Sequence, residues 1–332
     1  MNRSPRRPRS RAGFTLTELM IVVVLVGLIG SMLTSLLMRQ QSFHRAVATV
    51  ADARARMRDV ATILPTDMRS ISTSGGDVLV LSDTSMQIRA FVGASILCSY
   101  VAGSPTVIEL PPKILSDSSV LTAWINPPRP GDMVYLYNDS TSAGNADDSW
   151  TPFAITDTAS STSSTWCPTS TSFTHAGDNT ARRYRLTLAA APNQAQIKAG
   201  APIRIAREVR YSGYQASDGN WYVGYQTCTY SGVMATAGAC GTRDVLAGPI
   251  QAVTTDENTS GLYFKYYNQK GTRLTWLPSL TTASPDSAVA RAEVVIRTVS
   301  QSLRRATRIN VQNTEITGGD SLRFNIGFRN RI

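Results

Sequence analysis

The chain has 332 residues, with 33 Lys and Arg against 23 Asp and Glu, so its formal net charge is +10. This length allows one large domain or two ordinary ones, and a hydrophobic content of 42% excludes a wholly disordered chain. A single long apolar run, at residues 19–38, excludes a polytopic membrane protein, while the net charge suggests a nucleic-acid or membrane-surface partner until its position is known.

The N-terminal tail carries half of that charge. Residues 1–13 contain five arginines and no acid, and residues 19–38 then contain no charge at all. A helix of that length, at about 1.5 Å per residue, spans about 30 Å, the hydrocarbon thickness of a bilayer. The arginines in front of it place the N-terminus in the cytoplasm and the rest of the chain on the other side of the membrane.

Three interpretations of this segment compete. A secretory signal peptide has a shorter apolar run followed by a small-residue cleavage site, which is not found here. A plain signal anchor fits the length but leaves Glu18 unexplained, an acid within the apolar stretch where charge is costly. The third interpretation accounts for the tail, the acid and the apolar run together.

Residues 13–19 resemble the cleavage and methylation motif of type IV prepilins and type II secretion pseudopilins. In that motif a basic leader ends in Gly, here Gly13, and is followed by Phe14, by an acid at the fifth mature position, Glu18, and by the apolar run. The resemblance implies that prepilin peptidase cuts between Gly13 and Phe14 on the cytoplasmic side. It also implies N-methylation of the new Phe14 amine and a mature chain of 319 residues, from 332 minus 13.

The same resemblance gives Glu18 a role in assembly. The new amine of Phe14 has an ordinary pKa of about 8 and is largely cationic at neutral pH. In a filament the Glu18 carboxylate of one subunit would face the Phe14 amine of a neighbour and so set the axial register. A misplaced subunit would leave a buried charge unpaired, at a cost of several kcal/mol. The alternative is that Glu18 reaches to the membrane interface.

The helix is expected to continue beyond the membrane as an amphipathic segment. Pro65 either kinks this helix or ends it at Leu64, and the Ser/Gly-rich residues 72–76 stop it. Its apolar stripe has helical spacing and comprises Phe43, Val47, Val50, Met57, Ala61, Leu64, Met68 and Ile71.

The head reads as β-rich, so the predicted fold class is α+β and pilin-like: a long N-terminal helix, transmembrane half plus amphipathic half, packed on a large globular head. The predicted domains are a cleaved leader (1–13), a transmembrane and filament-core helix (14–38), its amphipathic continuation (39–73) and the head (74–332). Ser/Thr-rich residues 139–148 and 159–174 are predicted surface loops. The predicted strands are residues 78–81, 87–92, 133–137, 182–188, 203–211, 221–230, 262–267, 272–277, 292–299 and 322–328. The turn residues 268–271 predict that strands 262–267 and 272–277 form a hairpin.

The order of parts in the head resembles PilW-type minor pilins and the J-type minor pseudopilins of type II secretion. The residues that carry this likeness are Gly131-Asp132 before a strand, the aromatic strand 262–267, the strand 292–299 and the C-terminal residues 324–331. A head this large is hard to repeat along a filament but fits a tip or assembly-initiation complex.

Four cysteines all follow the apolar run, on the oxidising side of the membrane in the expected topology. Four cysteines allow three pairings, and the connectivity stays open. Cys228 and Cys240 are the natural local pair, and Cys98 with Cys167 follows by elimination. A zinc site is not expected, because there is no C-x-x-C spacing and His is nearly absent.

No motif for catalysis or cofactor binding is found, so we expect neither an enzyme nor a cofactor. His44 and His175 are expected at the surface. A basic run of Arg297, Arg304, Arg305 and Arg308 lacks interleaved aromatic residues, so a solvated loop or a face for a neighbouring pilin is favoured over nucleic acid. We expect no metal site, although Asp139, Asn145, Asp147 and Asp148 form a weak calcium candidate whose alternative is a solvated loop.

The sequence thus predicts a minor pilin, a structural subunit at the tip of a type IV pilus. Its expected partners are prepilin peptidase, the inner membrane, and other minor and major pilins through the N-terminal helix. The alternatives are a minor pseudopilin of a type II secretion system, or a tip adhesin or DNA-binding subunit. The head would lie in the periplasm and then on the cell-surface pilus or periplasmic pseudopilus. Loss of the leader leaves a charge of +5, from 28 basic and 23 acidic residues, which is ordinary.

Overall fold

The computed structural model describes residues 15–72, 76–139, 148–232, 236–275, 289–298 and 321–328. One α-helix, α1, spans Leu16–Arg69, and two short 3-10 turns lie at Thr169–Thr171 and Ala176–Asp178. The other regular elements of these residues are β-strands. The predicted α+β, pilin-like fold class, a long N-terminal helix followed by a β-rich head, is therefore confirmed.

The strands of the described residues form two antiparallel sheets. In chain order they are β1 (Val78–Leu81), β2 (Ser85–Ile96), β3 (Ser99–Val101), β4 (Ser104–Leu110), β5 (Ala123–Trp124), β6 (Met133–Asn138), β7 (Ser149–Ser161), β8 (Arg183–Leu188), β9 (Pro202–Gln215), β10 (Trp221–Cys228), β11 (Cys240–Ile250), β12 (Leu262–Tyr267), β13 (Arg291–Arg297) and β14 (Ser321–Gly327).

The larger sheet has eleven strands, with the order β1-β2-β9-β6-β7-β8-β4-β3 and with β5, β10 and β11 attached to the side. The long strand β9 joins its parts, because one edge pairs with β2 while the other pairs first with β6 and then with β10. Strand β7 turns a corner at Ile155, since its first half pairs with β6 and its second half with β8. The smaller sheet has the order β12-β13-β14.

The chain divides into two compact units. The described part of the first is residues 15–52, and the second begins at Ala53 and includes the rest of α1 and all the strands.

Within the second unit, α1 supplies the centre of the main core. Four of its apolar residues pack with side chains of β1, β2, β9, β10 and β11 from the larger sheet and of all three strands of the smaller one. This core therefore joins the helix to both sheets. The helical residues in it are Met57, Val60, Leu64 and Met68, and Ile71 joins them just after the helix ends.

A second core lies among β2, β4, β6, β7, β8 and β9 and contains residues such as Ile108, Leu136 and Ile205.

The predicted apolar stripe of α1 is correct only in its second part. Met57, Leu64, Met68 and Ile71 are buried, but Phe43 and Val47 are exposed. Pro65 does not end the helix, which continues to Arg69.

The predicted hairpin of strands 262–267 and 272–277 is wrong over its described residues. A turn does close at Asn268, whose backbone N–H donates to the Thr272 carbonyl over 3.0 Å. Beyond it, however, there is only an isolated bridge from Tyr267 to Arg273. Strand β12 instead pairs along all six of its residues with β13, whose Val- and Ile-rich sequence packs into the main core.

The second predicted loop is also partly wrong, because residues 159–161 belong to β7. The Thr-rich stretch that follows Ser149 forms a long strand, since β-branched threonine fits an exposed pleated surface well. Residues 140–147 of the first predicted loop lie outside the described residues.

Candidate functional site

The first part of α1 is an exposed apolar helix. Residues Leu16–Arg45 are long and apolar enough to cross a membrane, and their most apolar stretch is not buried within the protein. Thirty residues at 1.5 Å each extend about 45 Å, longer than the hydrocarbon core of about 30 Å. Large apolar side chains are exposed along its length, from Leu16 (78%) to Phe43 (64%). So much continuous apolar surface requires lipid or other helices around it.

The hydroxyl side chains within the apolar residues 19–38 are compatible with lipid. The hydroxyls of Ser31, Thr34 and Ser35 each donate over 2.8 Å to a backbone carbonyl three or four residues earlier in the helix. Because no water is present in the bilayer core, such internal hydrogen bonds remove the cost of burying these groups.

Glu18 differs from these hydroxyl residues because its side chain carries a charge. It is the only charged residue in 15–38, and it lies at the third position of the helix, which begins at Leu16. Thr15 and Glu18 form a loose capping box: the Glu18 N–H donates to Thr15 Oγ1 over 3.3 Å, and the Thr15 N–H donates to Glu18 Oε2 over 3.4 Å. Sequence reasoning missed this contact, although its T-x-x-E signature is visible in the sequence.

These distances are long for hydrogen bonds, and the other oxygen, Oε1, is not part of this box. The Glu18 side chain is also exposed. A carboxylate in this position, at the start of α1, retains the capacity to bind a cation. The cleavage residues Gly13 and Phe14 lie outside the described residues.

A cluster of buried polar groups fixes the C-terminal end of α1 on the larger sheet. Asp77 is fully buried, and its carboxylate accepts hydrogen bonds from Arg204 (2.6 and 3.3 Å), the Ser72 N–H (2.7 Å) and the Tyr135 hydroxyl (3.2 Å). Burial raises the pKa of Asp77, although the neighbouring Arg204 works in the opposite direction. Arg204 also approaches the Ser70 carbonyl at 3.4 Å, so this ion pair holds the end of the helix to β9.

Near the end of α1, Asp67 makes a second connection between the helix and β9. Its carboxylate accepts a 2.5 Å hydrogen bond from the hydroxyl of Tyr211, a fully buried residue of β9. Burial raises the pKa of Asp67, and it also raises the pKa of Tyr211.

A second buried ion pair lies at the start of β6. Arg207 makes two hydrogen bonds to Asp132, of 2.7 and 2.8 Å, and so joins β9 to the residue before β6. The sequence places Gly131-Asp132 before a strand, but nothing in the sequence identifies Arg207 as the partner of Asp132.

The cysteines form two disulfides, Cys98–Cys167 and Cys228–Cys240, which are the pairs expected from the sequence. The first lies beside Glu109, which accepts hydrogen bonds from the Cys167 N–H and from Arg185. The second joins the paired ends of β10 and β11. Both disulfides lie in the head and stabilise it.

The weaker candidate sites do not assemble in the described residues. Of the calcium candidate, Asn145 and Asp147 lie outside them, and Asp148 accepts a 2.6 Å hydrogen bond from the Tyr137 hydroxyl. No group of three His, Cys, Asp or Glu side chains in the described part of the chain could hold a metal ion.

The predicted basic run is not a continuous exposed face. Arg297 is only 9% exposed and donates to the Ser260 and Glu257 carbonyls over 2.6 and 2.7 Å, because it belongs to strand β13 rather than to a loop. Arg304, Arg305 and Arg308 lie outside the described residues.

The two histidines are both exposed. His44 lies on α1, and the His175 ring lies 3.5 Å from the Asp117 carboxylate at the surface.

Comparison with known proteins supports the N-terminal segment as the functional site. Residues 8–34 match the family described as the prokaryotic N-terminal methylation motif, which spans the expected cleavage position, Glu18 and much of the exposed helix. Neither curated proteins nor solved structures gave a match. Residues 8–34 therefore carry a prokaryotic N-terminal methylation motif, which supports the resemblance to type IV pilins and type II pseudopilins.

Proposed function

We propose that this pilin or pseudopilin is a minor pilin, a non-catalytic structural subunit of the tip or assembly-initiation complex of a type IV pilus. The observation that carries the proposal is the methylation motif at residues 8–34, followed by an exposed apolar helix, Leu16–Arg45. A helix of this kind anchors the subunit in the inner membrane first and packs among other subunits later.

The proposed processing follows from the motif. Prepilin peptidase removes residues 1–13 by cutting between Gly13 and Phe14, and the Phe14 amine is then methylated. The parts of the mature chain are the transmembrane and filament helix (14–38), its continuation (39–73) and the head (74–332).

Glu18 then has a partner to bind. In a bundle of low dielectric, its carboxylate pairs with the Phe14 amine of a neighbouring subunit, and only the correct axial position satisfies both charges. An unpaired charge in such a bundle costs several kcal/mol, which selects one register. The capping contacts with Thr15 are too long to compete strongly with this pairing.

The size of the head supports a minor rather than a major subunit. An eleven-stranded and a three-stranded sheet share one core with the second part of α1. A head of this size is difficult to repeat along a closely packed filament but is compatible with a single position at its end. Its other partners would be minor and major pilins, bound through the N-terminal helix.

N-terminal mass spectrometry of the protein purified from membranes tests the processing. The expected result is a chain that begins at methylated Phe14, and a Gly13→Val variant should keep its leader. An unmodified chain that begins at Met1 would refute the proposal.

A pseudopilin of a type II secretion system is the second candidate, because it shares the same N-terminal motif. Deletion of the gene distinguishes the two: loss of surface pili supports the pilus role, and loss of protein secretion with pili intact supports the pseudopilus.

A further inference from the structure

The apolar part of α1 ends at a short, positively charged segment. Residues 19–38 carry no charge, and the next charged residues are Arg39 and Arg45. No Asp or Glu occurs in residues 19–51. The helix continues through this segment without a break, and both arginines are exposed. Positive charge is therefore concentrated at the end of the apolar run that is farther from the N-terminus.

The length of the apolar run places this segment at the surface of a bilayer. Residues 19–38, at about 1.5 Å each, extend about 30 Å, which matches the hydrocarbon core, so Arg39 lies where the headgroups begin. Arg45 lies about 9 Å further along the helix axis. Because Cα–Cβ bonds in an α-helix tilt toward the N-terminus, its long side chain leans back toward the bilayer. Both guanidinium groups can thus reach the level of the lipid phosphates.

The two arginines flank a small side chain. Ser42 is three residues from each of them, and positions three residues apart are neighbours on the surface of a helix. The Ser42 hydroxyl is exposed and donates to the Arg39 carbonyl over 2.8 Å, so its hydrogen is used within the helix. The surface between Arg39 and Arg45 therefore carries no bulky group and no acid.

The charge of this segment is complementary to a phosphate. Arg39 forms no ion pair with the described residues. A guanidinium stays protonated and presents parallel N–H donors that match phosphate oxygens. In a zwitterionic lipid the ammonium of the headgroup offsets the phosphate, whereas in phosphatidylglycerol the phosphate charge is not offset. A lipid with net negative charge is thus the better partner at this depth.

We propose that Arg39 and Arg45 bind the phosphate of an anionic phospholipid, whose acyl chains lie along the adjoining apolar surface of α1 at Met38. Met38 is 65% exposed and lies four residues before Ser42, on the same side of the helix. The inference goes beyond the proposed role in a filament, because it concerns the helix in a bilayer and applies equally to a pilin and a pseudopilin.

Quenching of tryptophan fluorescence by brominated lipids tests the proposal, with the full chain reconstituted in phosphatidylcholine vesicles. The variant Met38→Trp places a reporter beside the arginines. Leu37→Trp places a control reporter at a similar depth on nearly the opposite side of the helix, since successive residues are about 100° apart. The five native tryptophans all follow residue 123, and the chain without a reporter gives their background.

The measurement compares small amounts of phosphatidylglycerol and phosphatidylcholine with brominated acyl chains. At Met38→Trp, phosphatidylglycerol should associate about fivefold more strongly than phosphatidylcholine, the factor that corresponds to one arginine near an anionic lipid. Leu37→Trp should show little preference. Vesicle flotation confirms that each variant is inserted.

Substitution of the arginines identifies the site. In the Met38→Trp chain, Arg39→Gln/Arg45→Gln should abolish the preference, whereas Arg58→Gln, at an exposed arginine later in α1, should leave it unchanged. Added inorganic phosphate should also leave it unchanged, because that ion has no acyl chains to lie along the helix. Equal quenching by the two lipids, an equal preference at Leu37→Trp, a preference that survives the double substitution, or its loss on addition of inorganic phosphate would each overturn the proposal.

Discussion

The ion pair of Asp77 and Arg204 should contribute strongly to stability, because it holds the end of α1 on the larger sheet. Replacing Arg204 with Met leaves a fully buried carboxylate without its cation, a change that costs about 3–5 kcal/mol in other proteins. Arg204 is 20% exposed, and Asp77 keeps its hydrogen bonds from Ser72 and Tyr135. We therefore expect a loss near the lower limit, about 3 kcal/mol in the free energy of unfolding.

A second substitution should recover part of this loss. In the double variant Arg204→Met/Asp77→Asn the side chain at position 77 is neutral, accepts from the Ser72 N–H and donates to the Tyr135 hydroxyl. We expect a recovery of about 2 kcal/mol relative to Arg204→Met, within the range of coupling energies for contacting residues. Urea unfolding of the full chain in detergent micelles, followed by tryptophan fluorescence, measures each variant, and the exposed Arg182→Met is the control.

The pH dependence provides an independent check. The pKa of Asp77 is raised by burial, and loss of Arg204 removes the largest of the interactions that oppose this shift. When the pKa of a carboxyl group is higher in the folded than in the unfolded state, the protein becomes less stable as pH rises from the unfolded-state pKa to the folded-state pKa. It becomes more stable again as pH falls through the same range. The deficit of Arg204→Met should therefore be smaller at pH 5 than at pH 7.5. A loss below about 1 kcal/mol, or no recovery in the double variant, would refute this account of the pair.

Two further predictions concern assembly and the disulfides. Glu18→Ala should leave membrane insertion unchanged, as measured by membrane fractionation, but impair assembly of the subunit into filaments, as measured by its recovery in sheared pili. Thr17→Ala is the matched control. Normal assembly of Glu18→Ala would contradict the register role. Replacing both cysteines of Cys98–Cys167 by Ser should cost about 4.4 kcal/mol, against about 2.8 kcal/mol for Cys228–Cys240, because the sequence separations are 69 and 12 residues. Urea unfolding of the two double variants measures this difference, and an equal loss would contradict the loop-entropy argument.

Local sequence patterns were sufficient for the N-terminal segment and for many strands. The basic leader, Glu18 and the apolar run identify the motif without any tertiary information, because each acts through its position along one helix. The alternation of apolar residues likewise predicted β14 closely, since burial of one face depends on spacing two residues apart, and the aromatic run 262–267 predicted β12.

Strand pairing could not be obtained in this way. The turn at residues 268–271 predicted a local hairpin, but β12 pairs with β13, more than twenty residues later in the chain. The sequence predicts a loop over the last residues of Thr-rich β7, because its exposed polar residues show no apolar period. Whether a segment becomes a strand there depends on the neighbours β6 and β8, which supply its hydrogen bonds.

The sequence by itself determined the membrane helix, its cleavage and methylation motif and the β-rich class of the head, because those depend on residue order and composition. Only the tertiary structure decided which groups meet across the sheet. Asp77 and Arg204, and likewise Asp132 and Arg207, are far apart in sequence and become neighbours where β9 lies between β2 and β6. Burial then gives these charges their energetic weight, since a carboxylate away from water needs a partner.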